Sequence, residues 1–131
     1  SQDGRFYLMY SIWKGAGWNI LMYSGVKTAS RLLTMWPVVS LVNYQYRHPA
    51  RPDSWFQHYT RLIQNSVADD FLKFRPATVI VVMNDYLRPD ANQPFSYLNY
   101  FQSNAKFKQI WKQYHYVKTI GAFNIYSRLA S

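Results

Sequence analysis

The chain reads as an α/β domain: a small, mostly parallel, Rossmann-like sheet with packed helices and a C-terminal β-hairpin. Three observations predict this. Val79-Ile80-Val81-Val82-Met83 is an apolar run without alternation, the pattern of a strand buried on both faces, as in a parallel sheet covered by helices. Helical periodicity precedes that run over 53–74 and follows it beyond Pro94, as in a βαβ unit. Two short apolar stretches then flank Gly121 within 115–129, which predicts an antiparallel hairpin at the sheet edge.

The elements follow in order. Residues 5–10, RFYLMY, form the first expected strand. KGAG at 14–17 carries two glycines, but the third glycine of a dinucleotide fingerprint is missing from its place, so this is a turn. Residues 18–25 read as a loop or a short helical turn, with a tight turn expected at Ser24-Gly25 after the apolar Ile20–Tyr23. Residues 30–36, SRLLTMW, read as a second strand or apolar segment that Pro37 ends, because proline lacks the N–H a central strand needs. Residues 43–53, NYQYRHPARPD, are polar and proline-containing and read as loop.

Asp53 or Ser54 caps the expected helix 53–74. Trp55, Tyr59, Leu62, Ile63, Val67, Phe71 and Phe74 recur at three- and four-residue steps as its apolar face. Pro76 stops the helix, and Lys73 and Arg75 suit the negative end of its dipole. Residues 86–93 read as a loop at the carboxyl end of the buried strand. Pro94 fits the first turn of a helix carrying Phe95, Leu98 and Phe101. After a break near Ser103-Asn104, Phe107, Ile110, Trp111 and Tyr114 repeat at helical spacing. The 131 residues suit one domain, 1–131, with a real core, and a 49% hydrophobic content predicts folding.

Composition narrows the chemistry. Fifteen Lys and Arg stand against six acids, for a net charge of +9, which favours an anionic partner such as a phospholipid surface, a lipid-linked phosphate or nucleic acid. All six acids are Asp. The absence of cysteine excludes disulfides, thiolate metal sites and cysteine nucleophiles. His48, His58 and His115 have no metal-ligand spacing, so no metal and no cofactor are expected. Neither a G-x-S-x-G elbow nor a phosphate-loop motif is present. Asp69-Asp70 diverge on a helix and read as a solvated surface pair. Asp85 ends the buried strand, where ligands of open α/β sheets gather, although a turn or cap is the plainer use of an aspartate there.

Cations and aromatics interleave in YQYRHPAR, 44–51, and in KFKQIWKQYHYVK, 106–118. In the second segment the aromatics sit at core spacing, leaving Lys106, Lys108, Lys112 and Lys118 as a solvated face. The same cations suit an anionic bilayer, at roughly 1 kcal/mol for each one close to the surface. No apolar run approaches the roughly 18 residues of a membrane span. The chain opens at Ser1 without Met and shows no signal peptide, which makes an excised domain the expectation.

The stretch FYLMYSIWKGAGWNILMYSGVKTASRLLTMWP resembles the start of the soluble C-terminal domain of bacterial multi-span, GT-C-type glycosyltransferase-like membrane proteins. There a strand leads to a segment like LVNYSGxxxxSR and then to an apolar strand ending in Trp. Tyr23, Ser24, Gly25, Ser30 and Arg31 match; Met22 stands where Asn is expected, and Trp18 or Asn19 where Pro is. KFRPATVIVV is similar to the family's R-R-P-D-x-V-x-V element, with Ala77 replacing the acid. FSYLNYF, an aromatic helix and the closing VKTIGAFNIYSR also correspond.

The resemblance implies a domain that follows transmembrane helices at the bacterial inner membrane and sits on the periplasmic or extracytoplasmic side. The catalytic acid and the site for a polyprenyl-phosphate sugar donor would lie in the parent's membrane part, and this domain would not catalyse transfer. No catalytic residue carries over. Ser24, Arg31, Asp85 and Arg88 are the candidate ligand-binding residues, with Arg31 reaching back to Asp85, to the loop or to an anionic ligand; a purely structural contact is the plainer use of that arginine. The expected partners are the parent's transmembrane part and an anionic membrane surface or lipid-linked phosphate, with nucleic acid set behind them. Two rival readings are a freestanding basic-aromatic nucleic-acid-binding module and a small Rossmann-like nucleotide-binding enzyme with a pocket near Ser11, Lys14, Asp85 and Arg88.

Overall fold

The computed structural model describes residues 6–9, 35–88 and 90–129. In chain order these form β1 (Phe6–Met9), α1 (Trp36–Arg47), α2 (Asp53–Phe74), β2 (Thr78–Val82), α3 (Tyr97–Gln102), α4 (Ala105–Trp111), β3 (Tyr114–Ile120) and β4 (Phe123–Arg128). The strands make one four-stranded sheet in the order β1-β2-β4-β3.

The expectation of a mostly parallel, Rossmann-like sheet is corrected here. Among the described residues only β1 and β2 run parallel, with Phe6 opposite Thr78 and Met9 opposite Val81. β2 pairs antiparallel with β4, and β4 antiparallel with β3. Val79, Ile80, Val81 and Val82 are all buried, so β2 is covered on both faces. That burial comes from its central place between β1 and β4, and it leaves the direction of the neighbours undetermined. The Rossmann-like part of the nucleotide-binding enzyme reading falls with the parallel arrangement.

Two further expectations change around α1. Residues 10–34 lie outside the described residues, but Trp36 begins a helix and does not end a strand. Pro37 occupies the first turn of that helix, where its missing N–H costs nothing and its fixed φ is already helical. The polar run from 43 to 47, expected as loop, is the last part of α1. Val38 and Val39 are buried and Val42 packs against the core, so one apolar stripe carries the polar residues beyond it into the helix.

Helix α2 spans 22 residues, but its buried face is turned from the expected one. Phe56, Gln64, Val67, Ala68, Asp70 and Phe71 are buried, whereas Tyr59 and Leu62 are exposed. Gln64 is carried inward because its Nε2 donates to the Tyr100 carbonyl at 2.6 Å and to Ser103 Oγ at 2.8 Å. That satisfies a buried amide and fastens α2 to the α3–α4 junction. The Asp69-Asp70 surface pair is also corrected: Asp70 is buried, and only Asp69 faces solvent, paired with Lys106.

The two short helices start on side-chain caps, not on Pro94. Ser96 Oγ accepts from the Asn99 N–H at 3.2 Å, and Asn104 Oδ1 accepts from the Phe107 N–H at 3.0 Å. Tyr114, expected to continue the second helical face, begins β3 instead. Sheet and helices meet in an aromatic core. Tyr7 and Tyr114 pack on Phe71, and Trp111 meets Tyr126 edge-on with 5.0 Å between ring centroids. β3 and β4 are joined by Gly121 and Ala122, with Gly121 at φ 58°. Tight hairpin turns demand that positive φ at their first central residue.

Arg75, immediately after α2, adopts the left-handed conformation, φ 45° and ψ 61°, while its N–H bonds the Phe71 carbonyl at 2.9 Å. Glycine is the usual residue in such a terminating position, since a Cβ there costs about 1–2 kcal/mol. Arg75→Gly is therefore expected to raise stability by up to about 1 kcal/mol once the freer unfolded chain is counted. Urea unfolding checks this; a loss of stability would show that the arginine side chain holds the helix end.

Candidate functional site

β2 delivers the chain into the segment 83–96, which runs back across the C-terminal half of α1. Between them lies an open cleft of about 750 Å³, a volume that suits a small organic ligand and far exceeds what an ion needs. α1 and the turn after it contribute Val42, Gln45, Tyr46 and Pro49. The opposite wall includes Leu87, Arg88, Asn92, Gln93 and Ser96, with Phe95 and Tyr100 adding aromatic surface.

Arg88 stands in this wall. Its guanidinium lies 5.9 Å from the centre of the Tyr46 ring, and its Nε is 3.3 Å from Asp90 Oδ1. Both members of that pair are about half exposed, so water screens the pair and leaves it a weak fastening. Asp85 takes a different part. It is buried, its Oδ2 accepts from the Tyr97 hydroxyl at 3.0 Å, and its carbonyl accepts from the Phe95 N–H at 2.7 Å. Asp85 thus holds the segment 83–96 in place from beneath. The structure puts Arg88 in the cleft and Asp85 behind it; Ser24 and Arg31 lie outside the described residues, as do Ser11 and Lys14.

The cleft's other polar residues were missed at the sequence level, because Gln45 and Tyr46 sat in a stretch expected to be loop. ANQP, 91–94, was the available signal: two adjacent amides before a proline, at the carboxyl end of a buried strand. In the cleft wall, Ser96 Oγ is engaged as the α3 cap. Amides and aromatic rings offer hydrogen bonds and flat apolar faces to a polar, uncharged ligand.

The turn between α1 and α2 carries the basic-aromatic segment, and Pro49 of this turn lines the cleft. Tyr44 stacks on His48 with 4.0 Å between ring centroids. The Arg51 guanidinium lies 4.9 Å from the Trp55 ring centre, and its Nε donates to the Tyr44 hydroxyl at 3.2 Å. Trp55 and Tyr59 continue the row at 4.6 Å. Arginine held against aromatic faces is a cation–π arrangement, and rings with polar tips suit a surface that is apolar on one side and wet on the other.

Burial pushes the Tyr97 phenol well above its ordinary pKa of 10.0, and the neighbouring Asp85 carboxylate adds to this. Burial likewise raises Tyr114, whose hydroxyl donates to the Pro76 carbonyl at 2.6 Å. Both rings stay neutral in the fold at a pH where the unfolded chain ionises them. Their stabilising contribution is therefore complete below pH 10.0 and is lost as pH rises above that value. Each costs at most about 1.4 kcal/mol per pH unit. Urea unfolding from about pH 9 to about pH 11 should show this decline. Phenolate absorbance should show these rings ionising only as the chain unfolds, and ionisation within the intact fold would contradict it.

Among the described residues no cluster of three or more His, Asp or Glu could hold a metal ion, and no helix is long and apolar enough to cross a membrane. No family model, curated protein or solved structure matches the chain.

Proposed function

We propose that this chain is the non-catalytic extracytoplasmic accessory domain of a bacterial membrane glycosyltransferase-like protein that uses a lipid-linked sugar donor. In this reading the cleft helps to shape the saccharide entrance, and the flanking row of cations and aromatics rests against the anionic inner-membrane surface on its periplasmic side. The observation that carries the reading is the amide- and aromatic-lined cleft, on a chain whose α1–α2 turn also packs Arg51 against Tyr44 and Trp55. Amides match sugar hydroxyls and rings match the apolar faces of pyranoses. Arginines and amphipathic rings match a headgroup layer. The sequence resemblance and the +9 charge point the same way.

The test is the intact mass and cell fraction of the native gene product. A membrane-bound product several times heavier than 15.6 kDa is expected. A soluble product near that mass would remove the glycosyltransferase reading.

The same row of rings also favours a second reading, a nucleic-acid-binding module, since bases stack on tyrosine and tryptophan beside cations. Against it, Tyr44 and Trp55 pack on each other and on Arg51, and Tyr59 packs on Trp55, so a base would have to displace existing contacts. Specific binding to single-stranded DNA that weakens steeply with salt would bring this reading forward.

A further inference from the structure

A second concavity lies at the opposite end of β2. The cleft follows the last residue of β2, whereas Arg75 precedes its first. Arg128 closes β4, beside Ala77, whose carbonyl accepts the Arg128 N–H at 2.9 Å. Arg75, Arg128, Gln113 and Tyr114 surround a hollow of about 300 Å³, with Phe71 and Ile110 as apolar wall. No acid lines it, and neither arginine forms an ion pair among the described residues.

The geometry points to a phosphate-binding site formed by Arg75, Arg128 and Gln113. An Nη1 donor of Arg128 is spent on the Arg75 carbonyl. That contact fixes the guanidinium against the left-handed turn and leaves its other donors for a ligand. A guanidinium presents paired donors in the spacing of phosphate oxygens, and the Gln113 amide adds a neutral donor. A tetrahedral anion fits the hollow of about 300 Å³, and two like charges at its edge favour an anion there. The backbone supports the same conclusion: Arg75 sits at φ 45°, where glycine would be easier. A cation there suits the negative end of the α2 dipole, and strained residues of this kind cluster at ligand sites. The site stands whether or not the domain belongs to a glycosyltransferase.

Arg75→Gly tests it, since glycine suits the turn and removes the guanidinium. The 131-residue chain is melted in increasing inorganic phosphate and, in parallel, in sodium chloride of equal ionic strength. Wild type should melt higher in phosphate than in chloride, as a ligand that binds only the folded chain requires. Arg75→Gly should fold normally and show an apparent phosphate affinity about tenfold weaker, the loss expected for one charge-assisted contact. Equal responses in the two proteins would mean general salting by phosphate and would overturn the site. So would a wild type indifferent to phosphate. Sedimentation with phosphatidylglycerol vesicles then separates two sources of the group. Pelleting that Arg75→Gly abolishes assigns a lipid headgroup. Pelleting unchanged by Arg75→Gly, with the phosphate response lost, assigns a water-soluble phosphate.

Discussion

Phe71→Ala is expected to lower the unfolding free energy by about 3–5 kcal/mol, the range for deleting a buried phenyl ring. Phe71 stands where helix and sheet layers meet. Its ring lies 4.7 Å from Tyr7, 5.2 Å from Phe107, 5.7 Å from Tyr114 and 6.4 Å from Trp111, centroid to centroid. One truncation therefore opens a cavity against β1, α4 and β3 together, and the large neighbouring rings cannot collapse into it without leaving their rotamers. Domains of this size are stable by only about 5–15 kcal/mol, so a large part of the total is at stake. Phe71→Leu should cost appreciably less, because it keeps most of the volume. Urea unfolding with an unchanged slope is the measurement. A loss below about 1 kcal/mol for the alanine variant would mean that Phe71 is not the keystone of this core.

Tyr97→Phe should cost about 1–3 kcal/mol, although it removes a single oxygen. The ring keeps its place in the core, fully buried and edge-on to Phe95 at 5.1 Å. What disappears is the hydroxyl that donates to Asp85 Oδ2. A buried carboxylate oxygen that loses a donor bears the desolvation penalty in full. Asp85 anchors the segment 83–96 through its own carbonyl, so the damage should spread to the cleft. Hydrogen exchange of the Phe95 amide, which bonds that carbonyl, should accelerate more than exchange within α2. Stability and exchange equal to wild type would remove the anchoring role of this pair.

The boundaries of this architecture were legible where pattern and punctuation agreed. The apolar run at 79–83 announced a strand covered on both faces, Gly121 announced the hairpin turn, and Pro76 announced the end of α2. What stayed hidden depended on partners. Burial on both faces is common to any central strand, so the run could not reveal that β4 would approach antiparallel. Gln64 and Asp70 look like surface residues until Tyr100 and Ser103 are placed against α2 and the helix turns. Pro37 is ambiguous by nature, because the ring that ends a strand also starts a helix.

The candidate site was half visible. Arg88, expected at the carboxyl end of β2, lines the cleft. Asp85, however, supports that cleft from beneath, and Gln45 and Tyr46 come from a helix that its polar residues concealed. The resemblance to membrane glycosyltransferase domains rests most on 22–31, which lies outside the described residues, so the functional reading depends on the cleft and its cationic flank.

The mixed direction of the sheet also sets a timetable. β3 and β4 are neighbours in sequence, and hairpins of this kind close within about 1–10 μs. β2 joins β4 across the short helices α3 and α4. β1 can reach β2 only when more than half the chain has been gathered, since Phe6 pairs with Thr78, and contacts that distant carry the largest loop-closure entropy. Pulse labelling during refolding should find amides of Phe123–Arg128 protected before those of Phe6–Met9; simultaneous protection would refute the sequence of events. Until β1 arrives, β2 presents a bare apolar rim to every other copy of the chain, so the interval before that last strand docks is when crowding at synthesis is most dangerous to it.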